Sequence, residues 1–205
     1  MKRVIITLVV FLIPATLWAY QAIPNSCKID RMAKNAKYAF CGVCTEAKEE
    51  VASRRSLGVG QTAYTFKVTK DLKGNIEGDT ISFNQVGTSS TARWMPRYDC
   101  KSGTTEHCIL LSCNEDSGRC APTGLACGKF DVDKDETGTR RIRSSGVSNR
   151  ALFEGVLDRN PNFSRRINPN LRKVVIDNNV TNASDFETIV EKLFNNSISN
   201  PSGEK

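Results

Sequence analysis

A stretch of alternating apolar and polar residues near the middle of the chain, residues 61–87, constrains the fold more than any other part of the sequence. Tyr64, Phe66 and Val68 alternate with polar residues, and Ile81 and Phe83 repeat the pattern after a gap that contains two glycines. Alternation with a period of two gives a strand one apolar and one polar face, and glycine adopts the conformations that reverse a chain. The pattern therefore predicts an antiparallel hairpin.

Two shorter apolar segments predict further strands. Ile109, Leu110 and Leu111 form a continuous apolar run within residues 108–113, which is typical of a strand buried on both faces. Residues 128–132 place Phe130 and Val132 on one side of a second segment. Together with the hairpin, these segments indicate a mainly β fold.

Three segments carry a family resemblance: KYAFCGVCTEAKEE, YTFKVTKDLKGNIEGDTISF and CILLSCNEDSGRCAPTGLACGKFDV. They resemble extracytoplasmic bacterial proteins of the netrin-like, or tissue-inhibitor-of-metalloproteinase-like, class. The resemblance covers residues 38–153 and is most specific at 64–74, with its LKG turn, and at 124–130. It implies a five-stranded OB-like barrel with a carboxy-terminal helix, with residues 38–45 as the first strand and a further strand at 140–147.

The carboxy-terminal part reads as a connector followed by a helix. Residues 157–170 are rich in Asn, Arg and Pro, which is typical of a connector. Ser184 and Glu187 then have capping-box spacing. An apolar stripe at helical spacing predicts that the helix packs on the barrel; its members are Phe186, Ile189, Val190, Leu193 and Phe194. The expected organisation is a barrel domain at 20–155 and a connector, helix and polar tail at 156–205.

The amino terminus has the features of an export signal. Lys2 and Arg3 precede an apolar run at 4–13, and a small-residue end suggests cleavage after Ala19. The run is short for a membrane span, although an uncleaved anchor is the alternative. No other segment is apolar enough to cross a bilayer. We therefore expect a secreted or periplasmic protein.

Eight cysteines follow the signal, and an even count in an oxidising compartment favours disulfides over zinc. Cys100 and Cys108 flank one short polar loop, while Cys113 and Cys120 flank another, so the spacing predicts these two local bonds. Cys41 and Cys44 should then bond to the two remaining cysteines, in an order left open. The full set is Cys27, Cys41, Cys44, Cys100, Cys108, Cys113, Cys120 and Cys127.

A redox alternative rests on Cys41-Gly42-Val43-Cys44, which resembles the thioredoxin motif. In that fold the first cysteine begins a helix, where the helix dipole lowers its pKa. On a strand, by contrast, residues three apart are about 10 Å apart and face opposite sides, which is beyond disulfide reach. Because the resemblance places residues 38–45 in a strand, we expect structural cysteines.

No other catalytic set is assembled by the sequence, and neither a metal nor a cofactor is expected. His107 is the only histidine, and its candidate nucleophiles, Cys108 and Cys113, are expected in disulfides. The aspartates of 131–135 lack the glycine of a calcium loop, because the sixth position is Glu136. An Asp-rich hairpin tip is therefore the preferred interpretation.

Basic residues are concentrated between positions 140 and 173. Removal of the signal lowers the formal net charge from +7 to +5, because it carries two basic residues and no acidic one. A basic strip of this kind fits an anionic polymer, such as a polysaccharide, whereas ordinary solvated charge is the alternative. Nucleic acid is not expected for an exported protein. The predicted anion-binding residues are Arg140, Arg141, Arg143, Arg165 and Arg166.

The function that these features favour is a binding or inhibitory module that recognises an extracytoplasmic protein or an anionic polymer. The resemblance also implies metalloproteinase inhibition, which in that family depends on an amino-terminal cysteine. Cleavage after Ala19 would instead leave Tyr20 at the mature end, and only processing before Cys27 would restore the arrangement. A structural envelope or matrix component fits the same features.

Overall fold

The computed structural model describes residues 25–50, 60–90, 95–177 and 179–198, with side chains described to residue 195. The expected signal peptide, its cleavage site and the polar tail from residue 199 lie outside these residues. Seven strands are described: β1 (Tyr38–Glu50), β2 (Gln61–Asp71), β3 (Thr80–Val86), β4 (Glu106–Cys113), β5 (Arg119–Pro122), β6 (Lys129–Lys134) and β7 (Arg140–Ser144). The α-helices are α1 (Ile29–Asn35), α2 (Asn149–Phe153), α3 (Val156–Arg159), α4 (Pro161–Arg166), α5 (Pro169–Ile176) and α6 (Ala183–Ile198).

The first five strands close into an OB-like barrel. Their order around the barrel is β1, β2, β3, β5, β4, and β4 pairs back onto β1. All of these pairings are antiparallel except the one between β3 and β5, which is parallel and joins only Asn84 with Arg119 and Gln85 with Cys120. The predicted hairpin is confirmed as β2 and β3, and the predicted mainly β barrel is present.

The strand β1 curves around the barrel because two irregularities interrupt its register. The shifts fall between Cys41 and Gly42 and between Cys44 and Glu46. At Gly42 a side chain would place its Cβ 2.6 Å from the Lys67 carbonyl oxygen, so only glycine permits this approach. Bulges of this kind bend a strand and increase its twist. They allow one long strand to pair with β2 along its length and with β4 near its start.

The fifth barrel strand is a segment that the sequence did not mark as a strand. β5 lies immediately after the turn that Cys113 and Cys120 enclose, and it pairs with β4 from Leu111 to Cys113. The predicted strands near 128–132 and 140–147 exist as β6 and β7, but they form a hairpin on the other half of β4. The four-residue length of β5 explains why its alternation carried no signal.

Two apolar cores lie on opposite faces of the barrel wall. The inner core fills the barrel and is mostly aromatic; its buried members are Phe40, Cys44, Tyr64, Phe66, Phe83, Tyr98, Ile109, Leu111 and Cys120. The outer core lies between the barrel wall and the helices and includes Ile29, Met32, Leu110, Phe130, Leu152, Phe153, Phe163, Leu171, Phe186, Ile189 and Val190.

The carboxy-terminal helix α6 packs on the barrel as predicted, and all five residues of its apolar stripe are buried. The capping-box prediction is wrong. The helix begins at Ala183, and Asn182 Oδ1 accepts hydrogen bonds from both the backbone and the hydroxyl of Ser184. Glu187 therefore does not cap the helix. It is only 3% exposed and faces the barrel.

The predicted connector at 157–170 is instead a series of short helices, and this corrects the sequence-based interpretation. Pro161 and Pro169 occupy the first turn of α4 and α5, where proline's missing N–H costs nothing. Asn168 caps α5 by accepting a hydrogen bond from the Leu171 amide. Phe163 and Ile167 are buried in the outer core. The Asn and Pro residues thus mark helix starts.

Candidate functional site

The eight cysteines form four disulfides, and the chain has no free cysteine. The Cys113–Cys120 prediction is confirmed, whereas the Cys100–Cys108 prediction is wrong. The other bonds are Cys27–Cys127, Cys41–Cys108 and Cys44–Cys100. The prediction that Cys41 and Cys44 bond to Cys27 and Cys127 is wrong as well.

Strand register explains the pairing. Cys41 lies directly opposite Cys108 across the β1–β4 ladder, and both side chains belong to the outer core. Cys44 belongs to the inner core, against which Cys100 packs. The two cysteines of the Cys-X-X-Cys segment therefore reach different partners from opposite faces of one strand. In this chain they do not form the dithiol pair of a redox motif.

The predicted anion-binding arginines are not presented on one face. Arg140 contacts Glu106 and Glu187 at 2.8 and 2.9 Å. Arg141 and Arg143 lie on the opposite face of β7, where they pair with Asp135 and Asp133. Hydrogen bonds from Thr137 and Arg141 hold the pKa of Asp135 at about 2. Three of the five arginines are thus balanced by acidic neighbours in the fold.

The remaining two predicted arginines, Arg165 and Arg166, are exposed at the carboxyl end of α4. Basic side chains are favourable there because the helix dipole is negative at its carboxyl end. Arg141 and Arg143 are exposed as well, so exposure does not separate these two arginines from the rest of the predicted set.

A cleft lies where the barrel wall is least complete, between the first half of β3 and the β4–β5 turn. Its volume is about 520 Å³. Because β5 pairs with β3 only at Asn84 and Gln85, the outer edge of β3 from Thr80 to Phe83 has no neighbouring strand among the described residues. We call this the seam cleft. Its floor is formed by Tyr38, Ile76, Ile81 and the Cys113–Cys120 disulfide, and its rim by Lys37, Asn75, Glu77, Thr80, Ser82, Asn114 and Glu115.

The LKG turn builds one wall of the seam cleft. Asp71 accepts hydrogen bonds from the backbone amides of Lys73, Gly74 and Ile76, and Gly74 adopts a positive φ of 74°. The side chain of Asn75 then donates to the Lys37 carbonyl at 2.8 Å. These bonds fix the turn that places the half-buried Ile76 side chain in the cleft floor, so this part of the cleft is formed without a partner.

The only histidine lies in a buried polar cluster at the edge of the inner core. His107 is 2% exposed, and its Nδ1 is hydrogen-bonded to Asp131 Oδ1 at 2.9 Å. Lys129 Nζ and Ser145 Oγ also donate to Asp131, at 2.7 and 3.0 Å. Burial raises the pKa of Asp131, but these hydrogen bonds and the Lys129 charge outweigh it and hold that pKa well below its usual range.

This cluster does not resemble an accessible catalytic pair. His107 Nε2 and the Tyr98 hydroxyl are buried without a hydrogen-bond partner within the described parts of the chain, and burial raises the pKa of Tyr98. The nucleophiles considered for His107, Cys108 and Cys113, are both in disulfides. The aspartates of 131–135 belong to the β6–β7 hairpin, but only Asp135 lies at its tip, because Asp131 and Asp133 are within β6.

A second buried cluster joins α6 to the barrel. Glu187 contacts Lys70 at 3.2 Å and Arg140 at 2.9 Å, and Lys70 also contacts Glu191 at 2.9 Å. The sulfurs of Cys41 and Cys108 lie within 4.8 Å of the Glu187 carboxylate. Because those sulfurs are bonded to each other, they are not thiolate ligands, and the cluster acts as an ion-pair network that sequence spacing did not indicate.

No protein-family model, curated protein or solved structure matches this chain. The class is therefore defined by the structure: an OB-like barrel with a packed carboxy-terminal helix, four disulfides and a preformed cleft at its weakest seam. No helix among the described residues is long and apolar enough to span a membrane. The four disulfides are consistent with an oxidising, non-cytoplasmic environment.

Proposed function

We propose that this chain is an exported, disulfide-stapled binding module of netrin-like type, and that its partner is a protein that binds in the seam cleft. The observation that carries the proposal is the combination in one cleft of a half-buried apolar floor, a polar rim and an unpaired strand edge. Concave sites with an apolar lining and a few polar groups are the usual form of a binding site.

Two features favour a protein partner over the other candidates. The arginines Arg140, Arg141 and Arg143, expected to hold an anionic polymer, already pair with carboxylates. The histidine and the cysteines that could support catalysis are buried or bonded. The seam cleft, in contrast, is preformed and accessible. Binding there requires no rearrangement of the barrel.

Site-specific photocrosslinking in the exporting cell tests this proposal. A photoreactive residue at Glu77, on the cleft rim, should give one discrete adduct, whereas the same residue at exposed Arg172 on α5 should not. Adding Ile76→Asp places a charge on the cleft floor and should abolish the Glu77 adduct. Ile176→Asp, at a 58% exposed isoleucine on α5, is the matched control and should leave it unchanged.

The proposal is wrong if the Glu77 and Arg172 positions give the same products, or if the Glu77 adduct is absent or insensitive to Ile76→Asp. Sequencing the mature amino terminus tests the metalloproteinase-inhibitor alternative at the same time. A mature chain that starts at Cys27 would favour inhibition, and one that starts at Tyr20 would not.

A further inference from the structure

We infer that the partner enters the seam cleft as an extended polypeptide strand, which pairs with β3 at Thr80 and Ser82 and carries a basic side chain to Glu77. This inference rests on the proposed function and specifies its binding mode. Strand addition to an exposed sheet edge is a general mode of peptide recognition, in which main-chain hydrogen bonds supply affinity and side-chain pockets supply specificity.

The hydrogen-bond phase of the β2–β3 ladder shows which backbone groups are free. Val68 N donates to Asp79 O, and Gly87 N donates to Gly60 O, in the same register that pairs Lys67 with Thr80. In an antiparallel ladder, pairs that exchange hydrogen bonds alternate with pairs that do not. Thr80 and Ser82 therefore belong to the second kind, and their N–H and C=O groups point away from β2.

Among the described residues, no strand pairs with these N–H and C=O groups of Thr80 and Ser82. Asn84 shares their phase, and it is the residue at which β5 pairs with β3. The residues before Arg119 do not pair with β3, because they form the β4–β5 turn. Asn114 closes this turn by accepting hydrogen bonds from Ser117. An added strand would occupy the position that β5 would take if it began four residues earlier.

The sides of the cleft fit the alternating side chains of such a strand. On one side of the β3 edge lies the half-buried floor formed by Tyr38, Ile76 and Ile81. On the other side lies solvent, where the hydroxyls of Ser82 and Thr65 are 3.0 Å apart. A strand with apolar residues at alternate positions would bury them on the floor and expose the rest.

Charge on the rim selects the chemistry of the partner. Glu77 is exposed and has no ion pair among the described residues, and Glu115 is 83% exposed despite its 3.3 Å contact with Lys37. A Lys or Arg on the incoming strand would meet these carboxylates. A second copy of this chain that presented the same β3 edge would bring two further carboxylates and one lysine, Lys37, which already contacts Glu115. An unlike strand with an additional basic side chain is therefore the better fit.

Selection from a displayed library of random dodecamer peptides on the oxidised full chain supplies the probe. We expect enriched peptides that alternate apolar residues and include Lys or Arg. Ser82→Pro removes the outward N–H of an edge residue, a position where proline is tolerated. It should raise the Kd of the enriched peptides at least about tenfold, because a peptide carbonyl loses its donor and the ring blocks the edge.

Ser82→Ala is the matched control, because it loses the same hydroxyl but keeps the backbone N–H; it should change the Kd less than about twofold, since only an exposed hydrogen bond is lost. Glu77→Gln should weaken binding several-fold at low salt and less at high salt. If Ser82→Pro lowers the melting temperature markedly, Thr80→Pro carries the test, since the first residue of a strand accepts proline.

Two results would overturn the inference: no dodecamer enriched above protein-free wells, or enriched peptides that bind the proline variants as tightly as the wild type. If the Glu77 adduct forms and remains sensitive to Ile76→Asp while the proline variants bind normally, the cleft is a binding site without strand addition. Loss of the adduct itself would instead remove the proposed function.

Discussion

The two cores on either side of the barrel wall are built on different principles. The inner core is surrounded by the barrel strands and is filled in part by Tyr98, which lies in the connection between β3 and β4. The Tyr98 ring contacts the rings of Tyr64, Phe66 and Phe83 edge to face, at 4.8 to 6.1 Å. Among the described residues, several polar atoms beside the inner core, including Gln85 Oε1, are buried without a hydrogen-bond partner. The outer core is closed by helices from both ends of the described chain. Its buried carboxylate, Glu187, pairs with Lys70 and Arg140.

The two regions also differ in the interactions that hold them in place. The helices of the outer core are held on the barrel by buried apolar side chains, to which the Cys27–Cys127 disulfide and the Glu187 ion pairs add further links. The barrel holds itself together through its ladders, except at the β3–β5 seam. The proposed binding site lies at that single weak pairing, on the inner-core side.

The largest expected effect on stability is the removal of a disulfide, and its size should differ between the two regions. Replacing Cys27 and Cys127 by Ala should lower the free energy of unfolding by about 4 kcal/mol. The bond spans 100 residues, although Cys41–Cys108 shortens the effective loop. Replacing Cys113 and Cys120, separated by seven residues, should cost only about 2 kcal/mol. Urea denaturation of both variants checks this, and equal losses would contradict it.

The next effect concerns the ion-pair network of the outer core. Glu187→Gln removes the buried carboxylate between Lys70 and Arg140, and we expect a loss of about 2 kcal/mol. The loss is limited because both cations keep a second acidic partner, Glu191 or Glu106. Glu191→Gln is the control and should cost less than about 1 kcal/mol at its more exposed site. A reversed order in thermal unfolding would disprove the role of Glu187.

The buried cluster beside the inner core should make stability depend on pH. Because the folded-state pKa of Asp131 lies below its ordinary value of 3.8, the unfolded state takes up the proton first. The ionised Asp131 side chain therefore contributes about 2 kcal/mol to the free energy of unfolding above pH 3.8, and this contribution is lost as the pH falls below 3.8. Asp131→Asn should be less stable at pH 7 and lose less stability between pH 5 and 3. A parallel pH profile would contradict this.

The smallest effect on stability is expected at the surface of the helical region. Replacing Arg165 and Arg166 by Ala should leave the melting temperature within about 2 °C, because exposed charges contribute little. If these residues bind an anionic polymer, retention of the chain on a sulfated polysaccharide resin should fall in the double variant. Unchanged elution salt would show that they are ordinary solvated charges.

Several features of the fold could be predicted because they depend on neighbours in the chain. The alternation of Tyr64, Phe66 and Val68 marks a half-buried strand wherever it lies, and the apolar stripe of α6 requires a surface to cover. Short elements were missed for the opposite reason. β5 is four residues long, and the helices between 161 and 176 begin at Asn and Pro residues that also occur in loops.

The candidate site could be predicted only in its parts. The LKG turn was visible in the sequence. The cleft beside it exists because the first residues of β3 extend past the start of β5, and this offset depends on the alignment of two strands that are distant in the sequence. Glu187 had capping-box spacing, and its actual role appears only when Lys70 and Arg140 are brought beside it.

The sequence by itself determined the hairpin, the amphipathic helix and the presence of an even set of cysteines, because each follows from local periodicity or composition. Only the tertiary structure decided which cysteines bond, which strand closes the barrel and where its wall is left open. Cys41 bonds to Cys108 because the β1–β4 register sets them opposite each other. These two cysteines are 67 residues apart in the sequence, and the register of their strands depends on the packing of both cores. No local sequence pattern encodes that register.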